Sequence, residues 1–263
     1  MIVNVGKQEY YMDGWLNSNL NLAQDLLKKD FDIVFIIDGM ERSGKSVFAM
    51  QLAYYLDPTL TLDRVCFTAE EFKRAVRKAK HGQAVILDEA MTALFSRASM
   101  SKTNINVVRL LAECGQKNLI IVIVLPSFFV LDMYAAVHRS RCLLHTYTMK
   151  RKGKIMRGFF RFYNMQRKKM LYLTGKKFYN YAGAKSNFMG RFVNHYVLDE
   201  KEYRAKKGKS LTDSSLEDVV DWKYEVAKAL KSIDMSSKDI AVWFLANKKI
   251  KVAARTVREW CGK

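Results

Sequence analysis

Gly39 and Gly44 bracket Met40, Glu41, Arg42 and Ser43 and are followed at once by Lys45 and Ser46. This is the G-x-x-x-x-G-K-[ST] spacing, and each residue type in it suits a phosphate chain. Glycine at both ends lets the backbone curl, so that successive N–H groups face an anion. A helix starting at Lys45 would add the positive end of its dipole. The Lys45 ammonium can reach β- and γ-phosphates, and the Ser46 hydroxyl can ligate Mg²⁺. Val47 closes the set of expected nucleotide contacts. The local setting matters as much as the spacing: the apolar run Phe31–Asp38 precedes the loop as a buried strand, and Lys45–Leu56 follows it as a helix.

A second cluster of chemistry lies at Ala84-Val85-Ile86-Leu87-Asp88-Glu89, four apolar residues ending in two acids. At the C-terminal end of a strand, Asp88 would hold Mg²⁺ through water and Glu89 would polarise the attacking water as general base. The bland alternative is that the pair caps the next helix. With Glu89 in place the expected reaction is hydrolysis, rather than phosphoryl transfer to a small molecule. The apolar stretch Asn118–Leu125 ends in Pro126-Ser127, which puts Ser127 beside the γ-phosphate as a candidate sensor; a simple helix cap before Phe128 is an equal reading. Arg139 and Arg141, and also Arg97 and Arg109, are candidates for an arginine that completes a neighbouring subunit's site, although any single one is also consistent with a surface or phosphate contact.

The elements that must position these residues alternate. Leu16–Lys29 reads as a short helix. After the first strand, loop and helix come a strand at Arg64–Phe67, a helix to Lys80 opened by the capping pair Thr68/Glu71, and a strand at Ala84–Asp88. A helix over Ser101–Gln116, the strand Asn118–Leu125, a helix over Phe129–Arg139 and a strand at Cys142–Tyr147 complete the pattern. Such alternation implies a parallel sheet with right-handed crossovers. Beyond residue 149 the aromatic and β-branched runs Ile155–Tyr163 and Lys169–Leu173 read as antiparallel strands, with turns near Lys152-Gly153 and Thr174-Gly175. The expected organisation is an N-terminal segment 1–30, a nucleotide-binding core 31–149, a basic β-rich extension 150–204, a polar linker 205–215 and a helical unit 216–263.

The phosphate loop, the Asp88-Glu89 pair and the Ser- and Arg-bearing stretch to Arg141 resemble the RecA-like, additional-strand branch of P-loop ATPases. More narrowly, residues 31–147 resemble the FtsK–HerA group, including viral genome-packaging ATPases and zonular-occludens-toxin-like ATPases. The resemblance implies an α/β fold with a mainly parallel P-loop sheet flanked by helices, ATP with Mg²⁺ as the ligand, and a homo-oligomeric ring. Departures are visible: Pro126-Ser127 stands where the group often has a polar sensor such as Gln, and neither a membrane span nor an acidic nuclease region can be read in the chain.

The formal charge of +19 is the strongest compositional feature. Such an excess repels itself unless a polyanion neutralises it, and nucleic acid is the first candidate, ahead of an anionic membrane surface. From Met133 to Leu198 there is no Asp or Glu, against fifteen Lys and Arg. The interleaved aromatics are expected mainly as core and the cations as phosphate contacts. Ser236–Trp260 resembles a helix-turn-helix, with Ile240, Ala241 and Phe244 packing one helix, Ala254, Val257 and Trp260 the other, and Arg255, Thr256 and Arg258 facing DNA; a plain three-helix or protein-docking module is the alternative. The four cysteines have no metal-ligand spacing, and no run reaches the roughly 20 apolar residues of a membrane helix. The expected setting is the cytoplasm (the host's, if the chain is viral). The expected function is an ATP-driven motor on double-stranded DNA, plausibly genome packaging or transfer with a viral or replication protein as partner. The alternative is a DNA-binding ATP switch such as a helicase loader or replication initiator.

Overall fold

The computed structural model describes residues 1–88, 111, 114–217, 222–248 and 252–261. Two compact units emerge, Met1–Arg204 and Ala205–Lys263. The first is built on a seven-stranded sheet made of β3 (Ile33–Gly39), β4 (Val65–Cys66), β5 (Ala84–Leu87), β6 (Ile120–Val124), β7 (Cys142–Arg151), β8 (Lys154–Tyr163) and β9 (Phe188–Arg191). Its spatial order is β4-β5-β6-β3-β7-β8-β9. Strands β4 to β7 pair in parallel, while β7-β8-β9 are antiparallel. Strand β6 therefore separates β3, which leads into the glycine loop, from β5, which leads to Asp88.

Parallel central strands need both faces covered, and the sequence supplies continuous apolar runs for that purpose. Every residue of β3 and of β6 is buried. Alternate residues serve opposite faces. Ile33, Phe35 and Ile37 join one core with helices α1 (Gly14–Leu27) and α2 (Lys45–Leu56). Val34 and Ile36 join the other with α3 (Ala69–Lys78) and α4 (Met165–Gly175). Helix α3 starts at a reciprocal cap: Thr68 Oγ1 accepts from Glu71 N–H at 3.2 Å, and the Glu71 carboxylate accepts from Phe67 N–H at 2.9 Å.

Several expectations need correction. Lys169–Leu173 is not a strand but part of α4, because Asn164 caps the helix by accepting from Arg167 N–H, and Lys168, Leu171, Tyr172 and Gly175 fall on one buried face. The aromatic strands do not form a separate extension; β8 and β9 continue the central sheet, which buries Phe160, Phe162, Tyr163 and Phe192. The single helix expected over Phe129–Arg139 is a 3₁₀ turn at Phe128–Val130 and one π-helical stretch at Tyr134–Arg139. The fully buried Lys168 closes that stretch, donating to the carbonyls of Ala136 and Val137 and to Ser140 Oγ. Residues 205–215, expected as a linker, lie inside helix α5 (Glu200–Glu217), whose Glu, Lys and Ala are good helix formers. The first eleven residues hold a hairpin, β1 (Ile2–Val5) and β2 (Gln8–Tyr11), too short and polar to read in the sequence. Most of the helix expected over Ser101–Gln116 lies outside the described residues.

The second unit contains α6 (Trp222–Ser232), α7 (Ser237–Lys248) and α8 (Ala254–Cys261), packed around Ala227, Ile240, Phe244 and Val257, with Ala241 and Trp260 against them. Among the described residues no helix is long and apolar enough to cross a membrane, and no group of three or more His, Cys, Asp or Glu could hold a metal ion.

One buried ion pair ties the end of α2 to the start of β5. The Asp57 carboxylate accepts from Arg64, from Ala84 N–H at 2.8 Å and from Thr59 Oγ1 at 2.6 Å. Burial by itself would raise the Asp57 carboxyl, but these hydrogen bonds and the guanidinium outweigh it and hold the group below its ordinary value. Its contribution to stability is therefore complete above the unfolded value of about 3.9 and is lost as pH falls through the lower folded value. Asp57→Asn should cost about 3–5 kcal/mol at pH 7, since it strands a buried Arg. Urea unfolding at pH 7 and pH 3 should show that cost shrinking in acid.

Candidate nucleotide site

The glycine loop sits where β3 ends and α2 begins. Three of its residues take positive φ: Gly39 at 136°, Arg42 at 59° and Gly44 at 98°. This alternation curls the chain into a concave turn lined by N–H groups, and the first turn of α2 opens toward it. Glycine at position 39 is obligatory, because a Cβ there would lie 2.1 Å from the Thr146 carbonyl oxygen of β7. A Cβ on Gly44 would meet the Phe192 ring at 3.0 Å, and Phe192 in turn stacks on Phe48 of α2. Ser43 is fully buried and braces the loop from below; its Oγ lies 2.7 Å from both the Met40 carbonyl oxygen and Thr146 Oγ1. Met40, Glu41 and Arg42 are exposed at the rim, whereas Val47 is buried beneath it. The Lys45 ammonium bends back over the loop and donates to the Gly39 and Met40 carbonyls, each at 2.7 Å. A concave run of N–H groups with an ammonium at its mouth fits a phosphate chain in both shape and charge. The fold is that of a P-loop NTPase.

Across β6, the end of β5 delivers Asp88. This carboxylate is only 2 % exposed and accepts from the Tyr203 hydroxyl at 2.6 Å. Burial first, and then the Asp88 charge, push the Tyr203 phenol well above its ordinary value, so it stays protonated and gives its proton to Asp88. Ser46, at the start of α2, is a further neighbour of that phenol. A hydroxyl and a carboxylate are the kinds of oxygen donor that suit a divalent cation such as Mg²⁺.

On the other side of β3, Asp38 is completely buried immediately before Gly39. It accepts from Phe128 N–H at 2.7 Å, from His145 Nδ1 at 2.9 Å and from the Tyr181 hydroxyl. Burial and the neighbouring Asp38 charge drive the Tyr181 phenol upward, and His145 stacks on its ring at 3.9 Å. Ser127 belongs to this group, its Oγ 3.4 Å from Tyr181 Oη. It lies at the tip of β6 next to the start of the loop and makes no side-chain cap hydrogen bond to the turn that follows.

The two arginines go elsewhere. Strand β3 is about 20 Å long at 3.3 Å per residue, and both arginines lie at its far end. Arg139 pairs with Asp32, just before β3, and donates to the Leu111 carbonyl. Arg141 is tied through its N–H to the Val34 carbonyl at 2.8 Å, and its guanidinium covers the Phe31 ring. Neither reaches the loop of its own chain, since parallel strands carry their starts and ends to opposite sides. Glu89, Arg97 and Arg109 lie outside the described residues.

Asp38, His145, Thr146, Tyr181, Phe192 and Tyr203 were not singled out from sequence. Only Asp38 carried a signal, as an acid closing an otherwise apolar strand.

No family model and no curated relative matches the sequence. Among solved structures, the N-terminal domain of zonular occludens toxin from Neisseria meningitidis is 17% identical, over 66% of this chain and 98% of that one, with a TM-score of 0.40. The genome packaging NTPase B204 from Sulfolobus turreted icosahedral virus 2, in complex with AMPPCP, is 14% identical over 52% of this chain and 94% of its own, with a TM-score of 0.35. The same NTPase with AMP gives 13% and 0.37.

The close approach of Gly39 to β7 yields a direct test. Gly39→Ala should lower the unfolding free energy by at least about 2 kcal/mol, from strain at positive φ and the clash with Thr146. Gly14→Ala, where nothing lies within 4 Å, should be neutral. Thermal unfolding of the two variants checks the contrast.

Proposed function

We propose that the chain is an ATP hydrolase that moves double-stranded DNA. The observation that carries this reading is the buried Asp88 at the end of β5, on the same edge of the parallel sheet as the glycine loop and the basic hairpin that projects beyond it. In the β3–β7 ladder Gly39 faces Thr146. Residues 147–151 of β7 therefore run on past the end of β3, by about 16 Å at 3.3 Å per residue. Lys150, Arg151, Lys152 and Lys154 are exposed at that tip, which turns through Lys152 and Gly153 at positive φ. Such a hairpin can neutralise DNA phosphates with release of counterions.

Bound Mg·ATP would supply the phosphoanhydride bond to be cleaved and the metal's charge. The N–H groups of residues 39–47 and the Lys45 ammonium then hold the phosphates, and Ser46 with Asp88 holds the metal. Glu89, the next residue along, takes a proton from the attacking water. Ser127 reads the γ-phosphate position through the Asp38–Tyr181 group. A neighbouring subunit of a homo-oligomeric ring contributes an arginine; Arg141 is better placed than Arg139, which Asp32 holds. The process served is genome packaging or transfer with a viral or replication partner, in the cytoplasm.

One observation favours the switch reading: α8 of the compact second unit exposes Arg255 and Arg258, which could grip DNA without translocation.

ATP turnover with and without double-stranded DNA, at low and high salt, separates the two. A motor should be stimulated several-fold, with the stimulation falling steeply as salt rises; absence of stimulation by any nucleic acid sinks that reading. Lys45→Ala should abolish nucleotide binding. Glu89→Gln should retain binding and lose turnover by at least about 100-fold, the scale of a general base.

A further inference from the structure

On the antiparallel side of the sheet, the register sets one residue from each of β7, β8 and β9 in a row: Tyr147 faces Phe159, and Phe159 faces Arg191. The adjacent row is His145, Arg161 and Met189. Residues two apart on a strand share a face, so the two rows form one patch. Further in, Leu143 and Tyr163 are buried in the core shared with α3 and α4, and Tyr181 stacks on His145. Cover ends there. Tyr147 and Phe159 are half-buried and belong to neither core of this unit, while Met189 and Arg191 are exposed. The two rings stack on each other, 5.8 Å between centroids with their planes 30° apart. The Arg161 guanidinium lies over Tyr147 at 5.2 Å, and that of Arg191 over Phe159 at 5.3 Å. Among the described residues neither arginine forms an ion pair.

We propose that this face is a stacking platform for single-stranded DNA. Unpaired bases lie against the Tyr147 and Phe159 rings and the two guanidinium groups, and the neighbouring cations hold the phosphates. Every base has a π-face, so such stacking tolerates any sequence, and arginine planes stack on bases as rings do. In a duplex those base faces are already covered by their neighbours, and only an unpaired strand can use the platform. Charge agrees: the patch lies within the acid-free stretch 133–198, so a phosphate backbone meets no like charge from that segment. Position agrees as well. Thr146 faces Gly39, so the platform begins one residue beyond the point where the glycine loop leaves the sheet, and it leads out to the cations at Lys150–Lys154. No carboxylate in the patch could accept from a ribose 2′-hydroxyl, which points to DNA rather than RNA. The platform goes beyond the hydrolase reading and does not depend on it, since its rings and cations are in place without nucleotide.

The test uses the full chain in EDTA without nucleotide, and follows the anisotropy of three fluorescein-labelled ligands of equal length at one salt concentration: oligothymidylate, an abasic strand and a duplex. Wild type should bind oligothymidylate at least about fivefold more tightly than the abasic strand, the lower end of what stacking on one ring gives. Tyr147→Leu combined with Phe159→Leu keeps an apolar surface but removes both π-faces. It should weaken oligothymidylate binding by at least about tenfold and erase the difference from the abasic strand, with duplex affinity changed less than about twofold. Tyr147→Phe should bind as wild type does. Arg151→Gln with Lys152→Gln, at the tip, should weaken all three ligands together. Equal binding of oligothymidylate and the abasic strand by wild type overturns the platform without recourse to any variant. So does unchanged oligothymidylate affinity in a double leucine variant that keeps the wild-type melting temperature, or a wild type that ignores oligothymidylate but sediments with phosphatidylglycerol vesicles. Oligouridylate bound more tightly than oligothymidylate overturns the assignment to DNA. Turnover that no nucleic acid stimulates would sink the motor reading and leave the platform standing.

Discussion

The site depends on β3 being clamped between two parallel neighbours. Its register against β6 and β7 is continuous, from Ile33 opposite Ile120 to Gly39 opposite Thr146. The clamp is tight enough at its end that a methyl group on Gly39 would strike the β7 backbone. The loop therefore leaves the sheet from a fixed point and in a fixed direction, and its curl is set before any phosphate arrives. Thr146 contributes further, donating to the Asp38 carbonyl at 2.9 Å while its Oγ1 meets Ser43. A phosphate cradle needs such preorganisation, because a loop that had to order itself on binding would lose affinity to conformational entropy.

Two buried carboxylates flank the loop, and both are satisfied by tyrosine hydroxyls. Asp38 is met by Tyr181 and His145, Asp88 by Tyr203. A buried charge without partners costs several kcal/mol, so these contacts are conditions of folding as well as of function. They also differ in kind. The Asp38 group is enclosed by backbone and stacked rings and serves to fix the tip of β6 beside the loop. The Asp88 carboxylate is met by the Tyr203 hydroxyl from the first turn of α5, so a helix far along the chain helps to satisfy it.

Charge is distributed with equal economy. The acid-free stretch from residue 133 to 198 contains cations of two kinds. Arg139 and Lys168 are turned inward, where they pair with Asp32 or close the π-helical turn. Others face solvent, among them those of the β7–β8 tip and Arg167, Lys169, Lys177, Lys185 and Arg191. Sequence composition treats both kinds alike, although only the exposed ones can meet a polyanion.

The phosphate loop, the apolar strand before it and the place of Asp88 at the end of an apolar strand were legible in the chain alone. Their chemistry depends on neighbours in sequence: glycines that permit positive φ, a lysine and serine at the start of a helix, acids after an apolar run. Helix α2 and the parallel central strands followed for the same reason, since hydrophobic periodicity is local. The rest required tertiary structure. Lys169–Leu173 alternates well enough for a strand, but the Asn164 cap and the π-helical turn that receives Lys168 decide for a helix. The hydrogen bond from Tyr203 to Asp88 joins two segments far apart in the chain, and no local pattern marks Tyr203 among thirteen tyrosines. Residue type and spacing determined what the loop can bind. Only the packing of distant strands and one helix decided which groups surround it, because burial and hydrogen-bond partners are properties of the folded chain.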